Sequence, residues 1–407
     1  MTGIMTGAHR TSARANRVRV SPSLAAANRA RELKAAGRDV VDLTVGEPDF
    51  DTPEHIRAAA VTAIERGETR YTAVQGTPEL RAAVAGALER RTGIRYADDQ
   101  LIVGGGAKQI LYVVFGATLD PGDEVIIPAP YWVSYPDMVR ANDGTPVIVE
   151  CPVADGFLLT PAALEAAITP RTRWVVLNSP SNPTGASYTA ERLRELAAVL
   201  HRHPHVGVLT DEIYDEVWFA DHDTTSIVAA DPRLADRTVV TNGVSKTYAM
   251  TGWRIGYAAG PADVVAAVNK LQGQSSTCPA SVSQAAAVAA LDGDQAPVKE
   301  MVAVYRSRRD RTVAALNAID GIEVVPPDGA FYLYPRCAGL IGRRTPDGTV
   351  LDTDEDVVLY LLDEAGVATV HGGAYGLSPH FRISFATSQD VLDEGMGRIA
   401  RAVADLT

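Results

Sequence analysis

Short apolar runs alternate with stretches whose apolar residues recur every three or four positions, and this alternation extends through most of the chain. Residues 174–177 are one such run. Leu193, Leu196 and Leu200 then share a helical face, and residues 206–209 form the next run. A continuous apolar run marks a strand covered on both faces, whereas the longer spacing marks a helix packed along one side. The unit is strand, helix, strand, which is α/β grammar. It predicts a parallel sheet with right-handed crossovers, and ligands of such sheets lie beyond the carboxyl ends of the strands. The residues just after the two runs therefore matter most. They are Asn178-Ser-Pro-Ser-Asn182-Pro-Thr-Gly185 and Asp211-Glu-Ile-Tyr214.

Thr52-Pro53 and Thr77-Pro78 each read as a helix N-cap followed by proline at the first helical position. Leu80, Val84 and Leu88 give the second of these helices its apolar stripe, and Gly93 is a natural stop. A chain of 407 residues is expected to carry a second, smaller lobe. Its predicted strands are residues 322–325, 331–334 and 381–385, joined by the N-terminal segment. The expected division is 1–45 for the arm and part of the small lobe, 46–295 for the large lobe and 296–407 for the rest of the small one.

Composition narrows the function. Hydrophobic residues make up 46% and charged residues 22%, the proportions of a globular protein with a large core. Lys plus Arg number 38 against 50 Asp plus Glu, a net charge of −12 that disfavours a general nucleic-acid binder. Cys151, Cys278 and Cys337 are far apart, with no metal-ligand spacing, which points to a reducing, cytoplasmic compartment and no metal. No stretch approaches the roughly 18 apolar residues of a membrane span, so no membrane is expected as a partner. Arg10, Arg14, Arg17 and Arg19 precede the first acidic residue, Glu32, and superficially suggest a transit peptide; a frayed arm is the expected reading.

Four polar clusters at predicted loop positions together ask for a cofactor: Gly104-Gly-Gly-Ala-Lys108, Asn182-Pro-Thr-Gly185, Asp211-Glu-Ile-Tyr214, and Ser245-Lys246 with Arg254 eight residues on. The glycines follow an apolar run at 101–103 and open a helix over 109–115. Free backbone N–H groups there would face an anion, and a phosphate is the obvious guest. Tight packing alone would also explain the glycines.

With these clusters in order, and with Gly46-Glu-Pro-Asp49, Tyr71 before Gly76-Thr-Pro-Glu-Leu80, Pro130-Tyr-Trp132, Ser245-Lys-Thr-Tyr-Ala-Met-Thr-Gly-Trp-Arg254 and Phe381-Arg-Ile-Ser384, the chain resembles the class I/II aminotransferases, specifically their bacterial aspartate aminotransferase branch. The resemblance spans nearly the whole chain. It implies the fold type I architecture, a three-layer α/β/α large domain with a mostly parallel sheet and a smaller α+β domain. It also implies pyridoxal 5′-phosphate as cofactor and a homodimer with shared active sites.

Each motif carries an implied role. Lys246 would form the internal Schiff base and shuttle the substrate's Cα proton, which needs an amine of lowered pKa. Asp211 would keep the pyridine nitrogen protonated, and Tyr214 and Asn182 would bond the ring oxygen. Arg254 and Ser245 would hold the phosphate with the backbone of Gly106, Ala107 and Lys108, and Trp132 would stack on the ring. Arg382 and the N–H of Gly46 would bind the substrate α-carboxylate, while Tyr71 would reach the neighbouring subunit's phosphate. For a distal group the candidates are Ser23, standing where the branch has threonine, and Lys108, which could meet a side-chain carboxylate. His371, in Val370-His-Gly-Gly373, departs from the Pro-Gly common before the substrate arginine.

The resemblance therefore implies ping-pong transamination between an L-amino acid, aspartate favoured, and a 2-oxo acid, 2-oxoglutarate favoured. An aromatic or specialised-metabolite aminotransferase, a lyase or an amino-acid oxidase would share the same apparatus. A DNA-binding regulator built on this fold would need an extra winged helix, for which about 40 residues before Asp42 are too few.

Overall fold

The computed structural model describes residues 11–20, 22–221 and 224–407. Helices α1 (Ala13–Arg17) and α2 (Pro22–Ala35) lead into a short strand, β1 (Val41–Asp42), followed by α3 (Glu54–Glu65) and α4 (Pro78–Thr92). The central sheet then takes β2 (Leu101–Gly104), β3 (Glu124–Ala129), β4 (Thr145–Glu150), β5 (Thr172–Asn178), β6 (Gly207–Asp211), β7 (Thr238–Gly243) and β8 (Gly256–Ala259). Their order is β2-β8-β7-β6-β5-β3-β4. The pairs among β4, β3, β5, β6 and β7 are parallel, and β8 runs antiparallel to both its neighbours. Helices α5 (Ala107–Thr118), α6 (Tyr135–Ala141), α7 (Pro161–Ala167), α8 (Ala190–Arg202), α9 (Ile227–Ala230), α10 (Ala262–Ser275) and α11 (Ser281–Asp292) complete this part.

Strand β5 shows why the run at 174–177 is unbroken. Trp174 and Val176 join one buried cluster and Val175 and Leu177 another, so both faces of the sheet are covered. Leu193, Leu196 and Leu200 of α8 pack into the second of these. Leu80, Val84 and Leu88 of α4 join the same cluster, each 1% exposed or less.

Thr77 caps α4, accepting from Leu80 N–H at 3.2 Å, and Gly93 closes it with φ +70°. The matching expectation at Thr52 is corrected: α3 starts at Glu54 with no side-chain cap. The Thr52 hydroxyl instead donates to the Ala249 carbonyl at 2.7 Å and accepts from Trp253 Nε1 at 3.0 Å. A threonine before proline is a cap only if no tertiary partner takes its oxygen.

The second lobe follows α12 (Ala296–Asn317) and contains β9 (Tyr332–Leu333), α13 (Asp354–Asp363), β10 (Val367–Ala368), β11 (Val370–His371), β12 (Phe381–Ser384) and α14 (Gln389–Ala404). A three-stranded antiparallel sheet runs β11-β12-β9, and β1 pairs parallel with β10. Through β1 the N-terminal segment pairs with β10. The expected strand at 322–325 is absent; Glu323 makes only an isolated bridge to Arg336. The expected 331–334 strand shortens to β9. Arg14 and Arg17 both pair with Asp143, so the described part of the arginine-rich arm is docked as a short helix rather than frayed.

Candidate active site

A cavity of about 680 Å³ opens where β5, β6 and β7 end and the second lobe faces them. Asp211 is the last residue of β6, paired in register with Asn178, the last residue of β5. Its carboxylate is buried and accepts the Tyr135 hydroxyl at 2.6 Å and the Ile213 N–H at 3.3 Å. Burial pushes its pKa up to about 6 against the pull of these donors.

Lys246 lies in the loop after β7. Its Nζ donates to the Gly46 carbonyl at 2.5 Å and stands 6.0 Å from the Tyr214 ring and 5.8 Å from the Phe331 ring. Apolar surroundings disfavour the ammonium, and its pKa is lowered to about 8; Arg254 and Arg382 push the same way, while Glu47 and Asp211 oppose. Tyr214 shares a hydrogen bond with Tyr332 across 3.0 Å, and burial holds its hydroxyl well above the ordinary phenol value.

Arg382, on β12, is 3% exposed. It donates from Nη1 to Asn182 Oδ1 at 3.2 Å and from Nη2 to the Thr44 carbonyl at 2.6 Å, and lies 4.5 Å from the Tyr332 ring centre and 5.3 Å from that of Tyr375. Among the described residues its Nε has no hydrogen-bond partner and no carboxylate pairs with it. A buried guanidinium with a donor to spare is a receptor for an anion.

At the opposite wall, Gly106 adopts φ +98° and α5 begins at Ala107. The N–H groups of Ala107 and Lys108 have no preceding carbonyl to meet, whereas Gly106 N–H donates to the Gly104 carbonyl at 2.8 Å and Gln109 N–H to the Gly106 carbonyl at 3.0 Å. A Cβ on Gly106 would overlap the Arg254 guanidinium, and one on Gly256 would overlap the backbone at Ala107, so both glycines keep this corner open. Arg254 is itself held by the Thr251 carbonyl at 2.9 Å and the Gly105 carbonyl at 3.3 Å. Ser245 also lines the cavity. So does Trp132, edge-on to Tyr135, with Lys108 Nζ 4.8 Å above its ring. Burial lowers the Lys108 pKa, and Arg254 adds to the effect.

The cavity thus brings together Gly46, Ala107, Lys108, Trp132, Asn182, Asp211, Tyr214, Ser245, Lys246, Arg254 and Arg382. Tyr71 stands outside it, 91% exposed. The Ser23 side chain lies outside the described residues. Thr44, Tyr135 and Tyr332 were missed by the sequence reading; only the one-turn spacing of Tyr135 from Trp132 on a helix start hinted at the second of them.

The family model for aminotransferase class I and II matches residues 38–399. The chain belongs to the class I and II aminotransferases. It is 53% identical over 95% of its length to a probable aspartate/prephenate aminotransferase of Rhizobium leguminosarum, of which 96% is covered, and 52% identical to an aspartate/prephenate aminotransferase of Cereibacter sphaeroides, over 96% of this chain and 98% of that one. The crystal structure of the aspartate aminotransferase of Rhizobium meliloti superposes with a TM-score of 0.96 at 50% identity, covering 98% of this chain and all of that one. That of Thermus thermophilus with maleate gives 0.91 at 39%, over 97% and 100%.

As such an aminotransferase it is pyridoxal phosphate-dependent and works on amino and 2-oxo acids, and the cavity fits that cofactor. The cradle at Gly106 suits a phosphate, Asp211 suits a protonated ring nitrogen, and a lysine of lowered pKa suits an aldehyde. Among the described residues no helix is long and apolar enough to cross a membrane.

Proposed function

We propose that this aminotransferase exchanges the amino group of L-aspartate with 2-oxoglutarate, as a cytoplasmic homodimer whose sites are shared between subunits. The observation that carries the substrate reading is the buried guanidinium of Arg382, unpaired with any carboxylate among the described residues, in one cavity with Lys246 and with Lys108. An anchored guanidinium and a lysine above the Trp132 ring suit a substrate with two carboxylates. The relatives named for aspartate and prephenate, and the Thermus enzyme described with maleate, support the same class. The two relatives named for prephenate make that 2-oxo acid a second acceptor to test.

When bound, pyridoxal phosphate supplies an aldehyde and an electron-accepting ring. Arg254, Ser245 and the N–H groups of Ala107 and Lys108 would hold its phosphate, the Gly106 N–H being taken by the Gly104 carbonyl at 2.8 Å, and Trp132 would cover its ring. Asp211 provides the anion that keeps a proton on the ring nitrogen. Asn182, whose Oδ1 is taken by Arg382, would keep Nδ2 for the ring oxygen, beside the Tyr214 hydroxyl. Arg382 and the Gly46 N–H orient the substrate α-carboxylate, which sets the Cα–H bond toward Lys246. Lys246, an amine of lowered pKa, would take that proton at Nζ and hold it for return. Tyr71, exposed on its own subunit, serves the partner's phosphate.

Borohydride reduction followed by peptide mass mapping tests the assignment of Lys246. The cofactor should be fixed on Lys246 alone, and a label on another lysine overturns it. Single-turnover absorbance changes against a panel of amino acids test the substrate. Aspartate and glutamate should react fastest; equal rates with aromatic donors would defeat the aspartate reading.

A further inference from the structure

The glycine turn before α5 is gripped by Arg254 and by two glutamines that the chemistry above does not use. Gly105 N–H donates to Gln109 Oε1 at 2.9 Å, and its carbonyl accepts from Arg254, so both polar groups of that residue are tied. Gln109 Nε2 donates in turn to Gln272 Oε1 at 3.3 Å and to Ser276 Oγ at 3.3 Å. Gln272, on α10, is fully buried, and its Nε2 donates to the Val74 carbonyl at 2.7 Å and to the Val103 carbonyl at 2.9 Å. The amide is therefore satisfied on both sides. Val103 is the penultimate residue of β2, the strand that leads into the turn, and Val74 follows Tyr71 by three residues. Val103 N–H closes the circuit on the Gln75 carbonyl at 3.0 Å. Packing is tight enough that a Cβ on Gly104 would overlap Gln109 Oε1 and lie 3.1 Å from Gln272 Oε1.

We propose that Gln272, acting through Gln109, is a positioning residue for the cofactor phosphate. Three consecutive glycines have more conformational freedom than any other tripeptide, so an unclamped turn would have to be ordered when the anion binds. The two glutamines order it in advance, aiming the first N–H groups of α5, and the same Gln272 amide seats the segment that carries Tyr71. The inference rests on the reading that this turn receives the phosphate.

The test compares two ligands on apo protein: pyridoxal phosphate, and pyridoxal, which has the same ring and aldehyde without the phosphate. Q272L and Q109L should each weaken pyridoxal phosphate about tenfold, the loss expected from an unmet buried group, while pyridoxal affinity stays within about twofold. The double variant should be no worse than the poorer single one, because the two act in series. Q272E should fail to restore affinity, since a carboxylate has no N–H for the Val74 and Val103 carbonyls. Unchanged affinity, or an equal loss for both ligands, overturns the proposal. A parent protein that binds neither ligand overturns the reading of the site instead. If Q272L does not fold, Q109L carries the same comparison, because Gln109 is only half-buried.

Discussion

Tyr135 donates its hydroxyl to Oδ2 of Asp211 at 2.6 Å, and both side chains are buried. Tyr135 is the first residue of α6 and Asp211 the last of β6, so the bond ties a helix start to the sheet at the cavity floor. It is the shortest support of a carboxylate that burial would otherwise keep protonated. With a pKa of about 6, Asp211 is mostly charged at neutral pH.

Stability of the apo protein should register this carboxylate. Its folded pKa lies above the ordinary value of 3.8, so between about pH 4 and pH 6 the native state keeps a proton that the unfolded chain has released. Asp211 therefore lowers stability as pH rises through that window, by at most about 3 kcal/mol. Urea unfolding across pH 4–8 should show this fall in the parent and not in Asp211→Asn; parallel curves would contradict it.

Tyr135→Phe removes the hydroxyl and leaves the Ile213 N–H as the remaining hydrogen bond to the carboxylate. Losing a bond to a charged group costs about 1.5–3 kcal/mol, so turnover should fall about tenfold or more and the acid limb of the pH–rate profile should move upward. A profile that drops without moving would mean that Tyr135 only packs.

Arg382→Leu should raise KM about ten- to a hundredfold for every donor, because the α-carboxylate is common to all. Lys108→Ala should raise it for aspartate and glutamate only. Steady-state kinetics with aspartate and phenylalanine separate the two, and an equal effect of Lys108→Ala on both donors would remove Lys108 from distal recognition.

Gly256→Ala places a methyl group on the backbone where α5 begins. Overpacking of this kind costs about 1–3 kcal/mol, and here it must push the phosphate corner from β8. Thermal unfolding should show the lower stability, and equilibrium dialysis should show weaker pyridoxal phosphate binding. An alanine variant that binds as tightly as the parent would mean that the corner has slack.

Subunit exchange tests Tyr71. A mixed dimer of Tyr71→Ala and Lys246→Ala chains has one site with both defects and one with neither. Random reassociation of equal amounts makes about half the dimers mixed, so roughly a quarter of the sites should be restored. Activity no higher than the mean of the two parents, with exchange verified by tags, would place Tyr71 within its own site or outside catalysis.

Much of this was legible in the residues alone, because it is local. The run at 174–177 and the spacing of Leu193, Leu196 and Leu200 specify β5 and α8, since periodicity depends on near neighbours. Thr77, Pro78 and Gly93 bound α4 for the same reason. The sequence also pointed to the carboxyl ends of β5 and β6, and its motifs named Lys246, Asp211, Asn182 and Arg382 as candidates, which the cavity brings together. Thr52 and residues 322–325 show where local reasoning stops. The first gave its oxygen to a tertiary partner, and the second found almost no strand to pair with.

Only the tertiary structure decided which distant groups meet. Lys246 bonds a carbonyl 200 residues away, Arg382 one 338 away, and Asp211 a hydroxyl 76 away. No spacing rule reaches across such separations, because the contacts are set by how the sheet and the second lobe pack. The raised pKa of Asp211 and the lowered pKa of Lys246 follow from the same packing: each needs neighbours that exclude water, and those neighbours come from other segments of the chain.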